Sequence, residues 1–177
     1  MRKVTLIAGV AAVAAGIALA GPASAAGTGA TFTLTGNSSG LAVSVPANGV
    51  SLGTAATGAS TVSGALGNVQ VTDTRGNLAA AWTATVSSTS FTTGTATANE
   101  TVATSAISYS SGTATKAANQ VGAMTPSVGL TLAAPAIAGV WAGVGNNTVT
   151  WDQTVTFNLL ASQVAGTYAG TITHSVA

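Results

Sequence analysis

Apolar and polar residues alternate with a period of two through much of the chain beyond residue 30, the pattern of half-buried strands. Residues 148–159 give the clearest run: Val149, Trp151, Val155, Phe157 and Leu159 fall on odd positions, while Thr148, Thr150, Asp152, Thr154, Thr156 and Asn158 fall on even ones. In 67–86, GNVQVTDTRGNLAAAWTATV, Val69 and Val71 open one strand, and Trp82, Ala84 and Val86 share one parity of a second. Between them DTRGN supplies turn chemistry, since Asp bonds its own backbone and Gly76 tolerates a positive φ. Shorter alternating runs predict strands at 31–35, at 41–45 ending on Pro46, at Val50 and Leu52, around Ile107 and Tyr109, over Val128, Leu130 and Leu132, and at 167–176. In the last of these, Tyr168, Gly170, Ile172, His174 and Val176 lie on one face by parity, and the strand is expected to pair with the 67–86 stretch. Residues 88–104 and 111–122 read as loops, with Phe91 reaching back to the core, and 133–147 reads as loop-like around Trp141.

No amphipathic helix is expected beyond residue 25, because Gly, Thr and Pro interrupt every Ala-rich piece. Short strands separated by turn signals give an all-β fold, an antiparallel β-sandwich of Ig-like Greek-key type forming one domain over 26–177. Threonine-rich faces would point outward, and the sheet edges lack the lysines that discourage pairing between molecules, so self-association is expected to be available.

Residues 1–25 have the composition of a cleaved signal peptide: Arg2 and Lys3, an apolar run to Ala20, a break at Pro22, and small residues Ala23, Ser24 and Ala25. Beyond them the bases are Arg75 and Lys116 and the acids Asp73, Glu100 and Asp152, so the full-chain net charge of +1 turns slightly negative. Such a chain has no basic footprint for nucleic acid or an anionic membrane surface. It has no cysteine, so an exported domain of this composition depends on apolar burial and sheet hydrogen bonds without disulfides. Its hydrophobic content of 47% and charged content of 4% are also unlike those of disordered chains.

Candidate chemistry is sparse. His174 is the single histidine; a Ser-His-Asp arrangement with Asp73 or Asp152 would make a hydrolase, but no nucleophile elbow accompanies it, so a structural or recognition role is expected. One histidine and no cysteine leave no set of zinc ligands, and no metal or cofactor is expected. Asp73 and Arg75 suit either a polar contact to a glycan or an Asx-turn with a local ion pair beside Trp82. Trp82 and Trp151 carry the parity of core residues, whereas Trp141, between Gly139 and Gly143, suits either burial or stacking on a sugar ring. The sequence holds no LPxTG sortase motif, so retention at a surface is expected to come from binding.

VTDTRGNLAAAWTATV at 71–86, followed by AGTYAGTITHSV at 165–176, resembles the WxL domain, a secreted surface module of Gram-positive bacteria. The first motif reads Trp82-Thr83-Ala84, with Ala where the family has Leu, and the second reads His174-Ser175-Val176, with His where the family has Trp. The resemblance implies a β-sandwich held non-covalently on peptidoglycan or another wall glycan, often alongside other cell-wall surface proteins. The expectation is therefore a non-enzymatic extracellular wall protein, with Asp73, Arg75, Trp82, Trp141, Tyr168 and His174 as candidate binding residues. A self-assembling surface or adhesion protein is the alternative, and a secreted hydrolase a third reading.

Overall fold

A computed structural model describes residues 31–46 and 50–177; the expected targeting segment lies outside them. The chain divides into two units, Met1–Thr33 and Leu34–Ala177, and the strands below belong to the second. In order they are β1 (Leu41–Ser44), β2 (Thr61–Asp73), β3 (Ala80–Ser88), β4 (Phe91–Thr92), β5 (Thr101–Val102) and β6 (Ile107–Ser110). Then follow β7 (Ala114–Lys116), β8 (Val121–Pro126), β9 (Leu130–Thr131), β10 (Ala136–Val144), β11 (Asn147–Asn158) and β12 (Ile172–Val176). Helix among the described residues is limited to two 3-10 turns, Ala98–Glu100 and Thr104–Ala106.

The fold is all-β and its strand pairs are antiparallel. One sheet runs β1-β2-β11-β6-β9, with β7 also on β11; a second runs β12-β3-β10-β8; β4 and β5 form a ribbon. The inward faces of both large sheets feed one core, with Val69, Val71, Tyr109, Val149, Trp151 and Val155 from the first and Trp82, Ala84, Val86 and Trp141 from the second. Burying each of the larger of these side chains contributes about 1.5–3 kcal/mol, which in the absence of disulfides is the main stabilising term.

β11 is the central strand of the first sheet and matches its sequence pattern closely. Its odd positions from Asn147 to Phe157 are all buried. β12 pairs with β3, Ile172 opposite Ser88 and Val176 opposite Ala84, so the closing strand joins the Trp82 strand as expected.

Two bulges mark where simple alternation fails. Opposite Gln153 and Thr154, β2 places Gly67 and Ala65, leaving Leu66 unpaired, and Gly67 sits at φ 83°, a conformation favouring glycine. Before the bulge Val62, Gly64 and Leu66 face inward on even positions; after it Val69, Val71 and Asp73 do so on odd ones. The second bulge, between Ile137 and Gly139 in β10, buries both Ala138 and Gly139. These irregularities explain two corrections. Residues 61–66 extend β2 ahead of the strand expected from Val69 and Val71, and 136–144 form β10 where Trp141 was expected in a loop-like stretch.

Two other expectations are overturned. Residues 31–35 form no strand, and Phe32 and Leu34 are 86% and 87% exposed, because alternation without a partner strand leaves the backbone unpaired. Val50 and Leu52 lie in irregular chain, with Leu52 packed over Gly64 of β2. Within the expected loops, β4, β5 and β7 are short strands and β8 begins at Val121, and Phe91 meets Phe157 edge-on with ring centroids 4.7 Å apart.

Candidate functional site

The turn after β2 is built around one carboxylate. Asp73, the last residue of β2, is 1% exposed and would be costly as an unpaired charge. Arg75 meets it with a planar fork: Nε donates to Oδ1 and Nη2 to Oδ2, each at 2.9 Å, while the Arg75 backbone N–H donates to Oδ1 at 3.0 Å. Nη2 also donates to the Ala81 carbonyl at 2.8 Å, tying the turn to the start of β3. The hydrogen bonds from the Arg75 side chain hold the Asp73 carboxyl below the usual carboxylate range, burial opposing them.

From that turn a polar and aromatic line crosses the interior. Asn147 Nδ2 lies 3.5 Å from Asp73 Oδ2, and Asn147 Oδ1 accepts the Trp82 indole N–H at 2.8 Å. The Trp82 ring lies between two others: Trp141, its cross-strand partner on β10, at 6.2 Å and 9°, and Trp151 of β11 at 6.5 Å and 21°. Trp151 Nε1 donates to Tyr109 Oη at 3.0 Å, and Tyr109 Oη lies 3.1 Å from His174 Nε2 on β12. The Tyr109 oxygen accepts the indole proton, and the direction of its bond with Nε2 follows the imidazole tautomer. Burial pushes His174 down to about 4 and pushes the Tyr109 phenol up, so both are neutral near pH 7.

The six candidate residues thus fall into distinct places. Asp73, Trp82 and Trp141 are buried, His174 and Arg75 partly so. Asp73, Arg75, Trp82, Trp141 and His174 are brought together along one line through Asn147, Trp151 and Tyr109. Tyr168 stands apart, its hydroxyl donating to the Asn99 and Val164 carbonyls at 3.2 and 2.9 Å. Of the two readings of Asp73 and Arg75, the geometry is that of the turn-fixing ion pair, and Trp141, at 1% exposure, is buried and not free to stack on a sugar. Asp73 is bonded to Arg75 and Asn147, not to His174. Among the described residues no three His, Cys, Asp or Glu side chains gather into a cluster that could hold a metal ion.

Sequence reasoning missed Asn147, although a signal existed: a polar residue on the apolar parity of β11. Gln153 carries the same signal and is buried with Oε1 unpartnered, as is Trp141 Nε1.

The outward face of the first sheet is different in kind. Across β2 and β11 it pairs Thr72 with Thr148, Gln70 with Thr150, Asn68 with Asp152, Ser63 with Thr156 and Thr61 with Asn158. Ser63 and Thr156 hydroxyls lie 2.8 Å apart, and Gln70 Nε2 donates to Thr150 Oγ1 at 3.1 Å. Ser108, Ser110 and Thr115 continue the face on β6 and β7. Asp152 is the one acidic residue among these.

Compared with known proteins, the sequence matches no family model, no curated protein and no solved structure.

Proposed function

We propose that the chain is an exported, non-enzymatic module that attaches non-covalently to the Gram-positive cell wall, built as an Ig-like Greek-key β-sandwich. The observation that carries this reading is the outward face of the β2–β11 sheet, a broad array of hydroxyl and amide groups with a single carboxylate. Such a face exchanges hydrogen bonds with the hydroxyls and amides of a wall glycan, each of modest net strength, over a wide area. Peptidoglycan as the polymer, with other wall surface proteins as further partners, comes from the resemblance of 71–86 and 165–176 to the WxL domain. An Ig-like arrangement is supported by two antiparallel sheets on one core, with the chain passing between them from β2 to β3 and from β10 to β11. The non-enzymatic character is supported by the separation of His174 from Asp73, the one bonded to Tyr109 and the other to Arg75 and Asn147.

Cosedimentation of the protein with purified peptidoglycan tests the proposal. Binding is expected to persist from low to high salt, because little charge is available to screen. Protein left in the supernatant under both conditions rejects it. Lysine substitutions at Thr150 and Thr154 distinguish the face: they are expected to weaken retention where Val140→Lys on the other sheet does not.

A second reading, self-assembly, is favoured by the outward face of β8 and β10, where Val121, Val140, Val144 and Ile137 are exposed without a charged neighbour on those strands. Light scattering over a dilution series distinguishes it, since a monomer at every concentration excludes assembly.

A further inference from the structure

A cleft of about 540 Å³ opens where the inward side of β2 and β11 meets the β4–β5 ribbon, and none of the outward residues proposed for wall binding lines it. Its floor is Phe91, Val102 and Phe157, and its walls are the 50–59 loop on one side and residues 160–168 on the other. That volume falls within the range of small-molecule sites.

The walls are held in place by bonds of their own. Leu159 N–H donates to the Ser60 carbonyl at 2.8 Å, and Val164 N–H to the Asn99 carbonyl at 3.1 Å. Gln163 receives the Leu160 N–H at 3.1 Å on Oε1 and donates from Nε2 to the Thr101 carbonyl at 3.1 Å. Gly166 and Gly170 have no room for a Cβ, against Thr93 and the Phe91 ring, so the far wall lies close on the ribbon. The long polar side chains of the lining, Gln163 and Tyr168, are therefore committed to the wall itself, while Leu160 and Val164 remain 66% and 44% exposed. The interior offers hydrocarbon, and the rim offers short hydroxyls from Ser51, Thr54, Thr57 and Thr167.

Among the described residues no Lys, Arg, His, Asp or Glu lines the cleft. A carboxylate or ammonium entering it would lose hydration without gaining a partner, so the charge balance selects an uncharged occupant. At about 30 Å³ per water-sized group, the space accepts about 18 such groups, room for a chain of about a dozen or more carbons with a small polar head at the rim. We propose that this cleft binds a neutral single-chain lipid, its aliphatic chain on Phe91, Val102 and Phe157 and its hydroxyl head at the Ser and Thr rim.

The test uses the neutral fluorophore N-phenyl-1-naphthylamine and three competitors of equal chain length: dodecanol, dodecanoate and dodecylammonium. Saturable binding of one fluorophore per chain is expected, with dodecanol displacing it at concentrations at least tenfold lower than either charged competitor. Leu160→Asp and Val164→Asp, both at exposed positions and checked for folding by circular dichroism, are expected to weaken binding at least tenfold. Val140→Asp on the outward β10 face serves as the control and is expected to leave it unchanged. Absence of saturable binding, equal displacement by all three competitors, or loss with Val140→Asp and not with Val164→Asp overturns the proposal. Retention on peptidoglycan is read separately, so failure here leaves the wall-binding result intact.

Discussion

At the residue scale, the buried Asp73 carboxylate controls the turn on which Trp82 depends. Removing Arg75 leaves that charge with the distant Asn147 amide and its own backbone, which for a buried pair costs about 3 kcal/mol or more. Arg75→Ala is therefore expected to lower the urea midpoint substantially, and Arg75→Lys to recover only part of the loss because an ammonium cannot reproduce the fork. Equal stability of Arg75→Ala and the wild type would show the pair to be ornamental. Gln153 gives the opposite sign. Its Oε1 is buried without a partner, so Gln153→Met, of similar shape, is expected to be neutral or to stabilise by about 1 kcal/mol.

At the element scale, β12 is a five-residue edge strand whose inward side chains are Ile172, His174 and Val176. His174 links the strand to the core through Tyr109, and acid acts on that link. The folded pKa, about 4, lies below the ordinary 6.5, so the native state prefers the neutral ring. The stability this supplies is whole above pH 6.5, falls as the pH drops below it, and levels off below about 4. With partial exposure discounted the loss is on the order of 2 kcal/mol. Asp73, whose pKa is depressed, loses its contribution in a separate window below its ordinary 3.8. Denaturation midpoints measured from pH 8 to pH 4 are expected to fall for the wild type and to stay nearly flat for His174→Gln, whose amide offers the Tyr109 hydroxyl both a donor and an acceptor. Parallel profiles would remove His174 as the titrating group.

The same scale shows what alternation reveals and what it hides. β11 and β3 were legible because an unbroken period of two, with threonines on one side, fixes both existence and facing. β2 was half legible: Leu66 is one residue too many, and the parity change it causes makes 61–66 look featureless to any fixed-period reading. β10 was hidden by small residues, since Gly139 and Gly143 suggest a loop but lie against Met124 and the Trp141 ring. Residues 31–35 have the period and lack the partner. For the candidate site, side-chain type was visible but pairing was not: Asp73 and Arg75 are neighbours in sequence, whereas Asn147, Tyr109 and Trp151 reach Trp82 and His174 only through the sheet register.

At the scale of the whole molecule, sparse charge separates stability from ionic strength. Five ionisable Asp, Glu, Lys or Arg side chains remain beyond residue 25. Asp73 and Arg75 are joined in a partly buried fork that salt screens weakly. Glu100 Oε2 accepts from the Thr95 and Thr97 hydroxyls and N–H groups, and the Lys116 ammonium donates to the Gln120 carbonyl. No network of surface ion pairs exists among the described residues for added salt to dissolve. Sodium chloride is then expected to act only through its small general effect on apolar burial. Thermal midpoints at low and high sodium chloride should differ by less than about 2 °C at neutral pH. The Arg75→Ala variant provides the internal comparison, because its uncovered Asp73 carboxylate should make the midpoint both lower and more sensitive to salt. A wild-type midpoint that moves strongly with sodium chloride would mean that charges other than this fork hold the sheets together.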